Sequence, residues 1–581
     1  MLYIYCKELE PDHYVVPFTT PNLQILHDIR VALIEDSYYK RWFSNPVKHW
    51  RFEFFFWPLD VENEPLATLP DRLKAYEQTP SLPPITRVAD LSGRVILCLS
   101  QEFQDSLNTP PTLESFSKLT LSPSQAIKEA RNKSNLDGEL ASSPSFVANS
   151  PSTYAKEQVA YPIFNGQPAN RQGPPVTLFS PVLATLNDRL EQIHNSTPVS
   201  PPSATLLKDT TTLFEAATRI YDNKNQCLEA MREPLQRVLD LKLTEQAAAG
   251  DHTTLTDGAI KIVLDSGLSA LIGYLKCSPE TGVGGDPGLQ ASLSFRKHVT
   301  SKAYESISNV SACPCILIGI SGTQITILTG IFIDRVVVQP LIKLNLLNRR
   351  TNPDEHVAYM ARVFAAIANS FKELRQEYRE IIPSDGIDYQ YMFPKPSLSD
   401  GQSLPSDLRY LSLLGYDERP SDNFHQTIYS GELDGKPVVI KFTDSYNANA
   451  HRMLAEYGFA PTLHFYASVC GGHHMIIMDK VQGRTAHSTF LRRPVPLPIK
   501  ERVEKAIGLL HQSDLVFGDL RRGNIMVTED ESVMLVDFDW VGEEYVARYP
   551  ETLNLDVDWP DDVQPGGLMT KEHDYLMLER L

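Results

Sequence analysis

The sequence predicts a multidomain α+β chain, and three observations carry that reading. Its 581 residues exceed what one hydrophobic core organises, so about three or four domains are expected. Hydrophobic residues make up 42% and charged residues 22%, the balance of ordinary globular proteins, so most of the chain can bury a core. The 42 prolines are more than such cores use, which places linkers between the folded parts.

Residues 1–100 read as a small β-rich module. Leu2–Tyr5 and His13–Phe18 suit strands, Pro21–Ser37 places Leu23, Leu26, Ile29 and Leu33 on one helical face, and WRFEFFFWPLD and RVILCLSQ suit two further strands. The order β-β-α-β-β is that of a ubiquitin-like β-grasp. The cluster Trp50, Phe52, Phe54, Phe55, Phe56 and Trp57 reads as core and edge packing, with a binding stripe as the alternative. WRFEFFFWPLD followed by ADLSGRVILCLSQE resembles the ubiquitin-like header of Crinkler-type effectors. That resemblance implies a protein acting in another cell, delivered without an ordinary signal peptide.

Residues 101–160, with SPSFVANSPSTY, and 195–203, NSTPVSPPS, are rich in Ser, Thr, Pro and Asn and read as tethers. Residues 161–395 read as an α/β domain. Helical runs lie within 204–248, strand-like runs are AIKIVL, CILIGI and ITILTGIFI, and a long helix is expected over Asp354–Ile381. A Pro/Ser/Asp-rich hinge covers 382–408. Cys313-Pro314-Cys315 has a poor zinc spacing and reads as small buried residues at a strand start. The stretch 256–295 places Asp257-Gly258, a strand, Lys276, the turn GVGGDPG, and Gln290 opening a helix. This resembles the restriction-endonuclease-like domain that precedes kinase domains in many fungal proteins, where D…E-x-K…Q supplies Mg²⁺ ligands and a base. The matching residues are Asp257, Lys276 and Gln290. Tyr274 stands where the central acid belongs, and Asp265 and Glu280 are off register, so the site reads as degenerate. GVGGDPG lacks the Lys-Ser/Thr of a P-loop and reads as a turn.

The strongest chemical signal lies at 509–540, LLHQSDLVFGDLRRGNIMVTEDESVMLVDFDW. Asn524 follows Asp519 by five residues, and a hairpin delivers Asp537 eighteen residues after Asp519. Phosphoryl transfer needs such a set: one carboxylate to accept the proton of an attacking hydroxyl, and an Asn oxygen with a second carboxylate to hold Mg²⁺ against ATP. Upstream, Lys441 in PVVIKF sits on a strand, as a phosphate-pairing lysine does in V-A-I-K.

These residues resemble the protein-kinase-like fold, with H-R-D-x-x-x-x-N present as Phe517-Gly518-Asp519…Asn524 and D-F-G as Asp537-Phe538-Asp539. LAEYGFAPTLHF, MIIMDKVQG, VFGDLRRGNIMV and LVDFDWVG are similar to fungal-type kinases and aminoglycoside-phosphotransferase-like kinases. The tail ARYPETLN…DWP…EHDYLML is similar to the fungal group. The resemblance assigns 396–581 to a bilobal kinase-like domain. It implies Asp519 as base, Asn524 and Asp537 as Mg²⁺ ligands with Asp539 auxiliary, Lys441 and Arg521 on phosphates, and Met478, Asp479 and Val481 at the adenine site. The chain departs from the pattern in three places. GYDERPSDNFHQTIYSGEL carries no G-x-G-x-x-G, with Asp417, Glu418 and Asp422 in its place. The segment YNANAHRMLAE has Asn447, Ala448 and Asn449 where the lysine's partner acid is expected, with Glu456 two turns later. Only 42 residues follow Asp539, too few for a full activation segment and large C-lobe.

Of the remaining residues, His473-His474 read as a turn, His451 as an ordinary surface or packing histidine, and Arg522 as solvent-facing. The net charge of −18 argues against general binding to nucleic acid or anionic lipid. The acidic N-terminus shows no secretory signal, and the longest apolar run, near Cys313–Ile320, is too short to span a membrane. An intracellular compartment is the default. The expected function is ATP/Mg²⁺-dependent transfer of a γ-phosphoryl group to a protein or small-molecule hydroxyl. The alternatives are a pseudokinase serving as a binding module, a small-molecule kinase, and a nuclease.

Overall fold

The computed structural model describes residues 123–195, 200–249, 252–279, 285–347, 351–399, 402–414, 427–490 and 493–581, together with four strands nearer the N-terminus. The chain divides into two compact units, the second beginning at Pro123. Among the described residues no helix is long and apolar enough to cross a membrane.

The first unit contains β1 (Leu2–Tyr5), β2 (Val15–Phe18), β3 (Phe55–Leu59) and β4 (Arg94–Cys98), in the order β2-β1-β4-β3. β1 and β4 run parallel at its centre, and the outer pairs are antiparallel. Each strand lies in a stretch that the sequence marks as extended. The helix expected over Pro21–Ser37, and Trp50, Phe52 and Phe54, lie outside the described residues.

The second unit corrects the tether reading from Pro123 onward. α1 (Pro123–Leu140) and α2 (Pro151–Ala160) are ordered helices. Ser150 caps α2 by accepting the Thr153 N–H, with Pro151 at the first helical position. Both helices are fixed by buried charges with distant partners. Arg131 donates to the carbonyl oxygens of Ile333 and Ser308, and Glu157 pairs with Arg296 at 2.5 Å.

A six-stranded sheet follows, built from β5 (Thr244–Ala249), β6 (His252–Val263), β7 (Ser269–Ser278), β8 (Cys315–Ser321), β9 (Gln324–Phe332) and β10 (Val336–Asn345), in sequential order. β7 and β8 are buried on both faces and pair in parallel; every other pair is antiparallel. Between them crosses α6 (Pro287–Val299), capped by Asp286. The helices α3 (Pro181–His194), α4 (Ala204–Ala217) and α5 (Lys224–Val238) precede the sheet, and α7 (Pro353–Arg379) follows it. Cys313 and Cys315 are fully buried, Cys315 opening β8.

The C-terminal part begins with an antiparallel sheet of order β11-β12-β13-β15-β14: β11 (Arg409–Leu413), β12 (Ile428–Leu433), β13 (Lys436–Thr443), β14 (Leu463–Val469) and β15 (His473–Asp479), with α8 (Ala448–Glu456) between β13 and β14. Then come β16 (Gly483–Thr485), α9 (Leu497–Gln512), β17 (Leu515–Val516), the hairpin β18 (Ile525–Thr528)–β19 (Val533–Leu535), β20 (Gly542–Glu543) and α10 (Lys571–Glu579). His473 and His474 belong to β15, where the sequence suggested a turn. His473 binds Asp444 at 2.5 Å, and His474 Nδ1 meets Tyr466 Oη and Ser468 Oγ, both at 3.2 Å.

The expected boundary at 395/396 falls inside one hydrophobic core. Tyr429, Val438, Ile440, Phe442, Val469, Met475 and Ile477 share that core with the six-stranded sheet and its helices. Phe393 stacks on Tyr410 at 5.4 Å, and Tyr429 meets both edge-on. The described residues of 382–408 are therefore packed, not a free hinge. Leu398 bridges to Val469, Cys470 N–H donates to the Ser397 carbonyl, and Gly471 N–H donates to Asp188 of α3 at 2.8 Å.

Candidate active site

Strand alternation aims Lys441. Its neighbours Ile440 and Phe442 face the shared core, so Lys441 and Thr443 face the opposite side, toward α8 and the Asp537-Phe538-Asp539 segment. Lys441 Nζ lies 2.7 Å from Asp537 Oδ1 and 2.6 Å from Asp539 Oδ1. Thr443 Oγ1 donates to Asp539 Oδ2 at 2.8 Å. Lys441 is 6% exposed. Burial alone would lower its pKa, but Asp537 and Asp539 together raise it. Burial also pushes the Asp537 carboxyl up, yet Lys441 outweighs it and holds Asp537 below the usual range. Burial and the adjacent Asp537 push Asp539 up to about 7.

Asp537 adopts a left-handed backbone, φ 74°. For a non-glycine residue this costs on the order of 1 kcal/mol, and such strain gathers at functional sites. Its neighbours enforce it. Val536 N–H donates to the Asn524 carbonyl at 3.0 Å, and Asn447 N–H donates to the Phe538 carbonyl at 3.0 Å. Asn447 Nδ2 donates to the Val541 carbonyl at 3.1 Å. The Phe538 ring lies flat on His451, 4.6 Å away, and edge-on to Phe517 at 5.8 Å. His451 is fully buried, bound through Nδ1 to Tyr446 Oη and through Nε2 to the Pro461 carbonyl, each at 2.7 Å. Of its two expected settings, surface or packing, the structure shows packing.

The loop after β17 carries Asp519, 5% exposed. Arg521 forks onto both Asp519 oxygens, with Nη2–Oδ2 at 2.6 Å. Asn524 Nδ2 donates to the Asp519 carbonyl at 2.9 Å and to Oδ2 at 2.8 Å. The Asn524 side-chain oxygen is thereby turned away from Asp519, the atom a cation would need. Gly518 sits at φ 78°, and a Cβ there would lie 2.8 Å from Met569 Sδ. The Arg521 guanidinium lies 5.9 Å from the Trp559 ring centroid.

Asp574, on α10, anchors this loop. Its buried carboxylate accepts the N–H groups of Phe517 at 2.8 Å and Gly518 at 2.9 Å, and meets His511 Nε2 at 2.9 Å. Sequence reasoning assigned it no role, because nothing in EHDYLML distinguishes a buried anchor from a surface acid. Arg522, expected in solvent, donates to the carbonyls of Arg493 and Leu581.

Met478, next to last in β15, pairs with Val439 and is buried. The Asp479 side chain is committed to His464 at 2.6 Å. Val481 lies in the connection from β15 to β16. Residues 415–426, with Asp417, Glu418 and Asp422, lie outside the described residues. α8 carries one carboxylate, Glu456, at its exposed end.

In the six-stranded part, Asp257, Lys276 and Gln290 occupy β6, β7 and α6, and all three are buried. Asp257 Oδ1 pairs with Lys224 at 2.8 Å and Oδ2 accepts the Cys277 N–H at 2.6 Å. Burial lowers the Lys276 pKa, opposed by the nearby Asp257. The Tyr274 ring, at the position where the sequence resemblance expects an acid, lies 5.7 Å from Lys276 Nζ. Asp265 lies in an exposed turn, and Glu280 is outside the described residues. Among the described residues no three His, Cys, Asp or Glu side chains converge on a common metal position.

No family model matches the chain. A curated protein, a probable SapB synthase of Streptomyces coelicolor, is 33% identical over 101 residues, covering 13% of this chain and 11% of that protein. The chain thus spans about a tenth of that relative's length. Among solved structures, the kinase PK-1 of Cydia pomonella granulovirus is similar at 16% identity, over 30% of this chain and 66% of that one, with a TM-score of 0.25.

Proposed function

We propose that the C-terminal part is a kinase-like phosphotransferase using ATP and Mg²⁺ to phosphorylate a hydroxyl. The observation that carries this reading is the junction of Lys441 with Asp537 on one side and of Asp519 with Asn524 on the other, joined by the Val536–Asn524 backbone bond. The donor set suits magnesium, which takes one or two carboxylates and completes its shell with phosphates and water. Asn524 and Asp537 would hold it, with Asp539 the auxiliary candidate. Bound there, the metal supplies charge stabilisation to the transferring group. Lys441 holds phosphates, Met478, Asp479 and Val481 border the adenine site, and Asp519 takes the acceptor hydroxyl proton as the new O–P bond forms and the bond to ADP breaks. Arg521, now on Asp519, turns to the transferred phosphate.

One observation favours a second reading, a nucleotide-binding pseudokinase: both oxygens of Asp519 are occupied by Arg521. A thermal-shift titration separates the two from neither. Wild type should be stabilised by ATP with Mg²⁺, by mass action, and Asp537→Asn should remove the Mg²⁺-dependent part. Radiolabel transfer to generic acceptors then divides kinase from pseudokinase, and no shift at millimolar ATP defeats both.

For the other parts, the central parallel pair of the first sheet supports a ubiquitin-like, Crinkler-like header. The β7–α6–β8 crossover, with Tyr274 in place of the acid, supports a degenerate nuclease-like domain. Protein or small molecule as phosphoacceptor, and an intracellular setting, belong to the same proposal.

A further inference from the structure

A buried lysine facing phosphates needs an anionic partner, since an ammonium alone in the interior is heavily penalised. α8 does not provide one. Asn447 spends its side chain capping the helix at Ala450 and tying Val541. His451 has both ring nitrogens engaged, and Glu456 sits exposed at the helix end. Lys441 instead meets two carboxylates, and they are not equivalent. Asp537 makes one ion pair and has the strained backbone. Asp539 has both oxygens committed to β13, one to Lys441 at 2.6 Å and one to Thr443 at 2.8 Å. Lys441 and Thr443 are two residues apart on one strand face, so Asp539 spans them as a clip.

We propose that Asp539 is a positioning residue that replaces the missing helix carboxylate. It holds Lys441 in line for the phosphates through a three-membered Lys441–Asp539–Thr443 contact, and leaves Asp537 to the metal. The inference rests on the kinase-like reading above and departs from the auxiliary-ligand role for Asp539.

The test is a double-mutant cycle in the full chain: Lys441→Met, Asp539→Asn and both together, with Thr443→Val as the conservative probe of the clip. Calorimetric ATP affinity is measured in EDTA and in Mg²⁺, and the melting temperature without nucleotide. Asp539→Asn should weaken ATP about tenfold in EDTA, as Lys441→Met does, with no further loss in the double variant. Thr443→Val should give a smaller loss of the same kind. Additive losses, or a loss seen in Mg²⁺ alone, would overturn the proposal and make Asp539 a metal ligand. The melting temperatures stand apart from nucleotide: a double variant no less stable than the worse single variant supports the Lys441–Asp539 contact, and additive melting losses refute it. If wild type binds no ATP while the melting cycle is non-additive, the kinase-like reading fails and the contact stands.

Discussion

Replacing Asp574 with alanine should be the most damaging single change in the C-terminal part outside its aromatic core. The carboxylate is 1% exposed and meets three donors, Phe517 N–H, Gly518 N–H and His511 Nε2. Each buried donor left without an acceptor costs about 1–3 kcal/mol. The imidazole can partly relax, so the net loss should be about 4 kcal/mol. The second compact unit has about 450 residues. At about 2.1 cal/mol/K of unfolding entropy per residue, it gains roughly 1 kcal/mol of destabilisation per degree. Asp574→Ala should therefore melt about 4 °C below wild type by scanning calorimetry. Asp574→Asn offers one acceptor where two N–H groups need two, and should recover less than half of the loss. A melting point within 1 °C of wild type for Asp574→Ala would refute the anchoring argument.

Three further outcomes are expected. Gly518→Ala should destabilise the Asp519 loop, because a Cβ meets Met569 Sδ at 2.8 Å on a left-handed backbone; faster hydrogen exchange confined to 516–524 would be the readout, and unchanged exchange would count against it. Burial lowers His451 to about 4 and His298 to about 3. Both are depressed below 6.5, so their contribution to stability is present above pH 6.5 and is lost as pH falls toward 4 and 3; urea midpoints should drop across that window, and His298→Leu should shallow the slope. Phe393→Ala should lower the unfolding of both halves of the second unit together, seen as one calorimetric transition moving as a whole, whereas two transitions would refute a shared core.

The spacing of Asp519, Asn524 and Asp537 was legible because it is local. Five residues from Asp519 to Asn524, and a hairpin before Asp537, need no knowledge of the rest of the chain. The long helix and the buried strands of the six-stranded sheet were legible from apolar periodicity. Residues 123–160 were not. Their polar composition reads as a tether, and what orders them is Arg131 and Glu157 finding partners from 139 to 202 positions away. Asp574 was hidden for the same reason, since its donors lie 56 to 63 positions earlier. The missing partner of Lys441 was legible as an absence on the helix. The carboxylate beside it, Asp539, was expected as an auxiliary metal ligand, and the bond from Thr443 that turns it toward the strand has no signature in sequence.

The fusion of β12, β13 and β15 to the preceding sheet has a mechanical consequence. The strands that carry Lys441 and Met478 are seated on a large, stiff base, and the tip between β14 and β15 is pinned by Asp188. The part that carries Asp519, Asn524 and Asp574 packs through a second hydrophobic cluster, which takes in Ile476 and Met478 of the same β15. β15 thus lies between the two cores, Met475 and Ile477 in one and Ile476 and Met478 in the other, so a load on either core reaches the strand that pairs with Lys441.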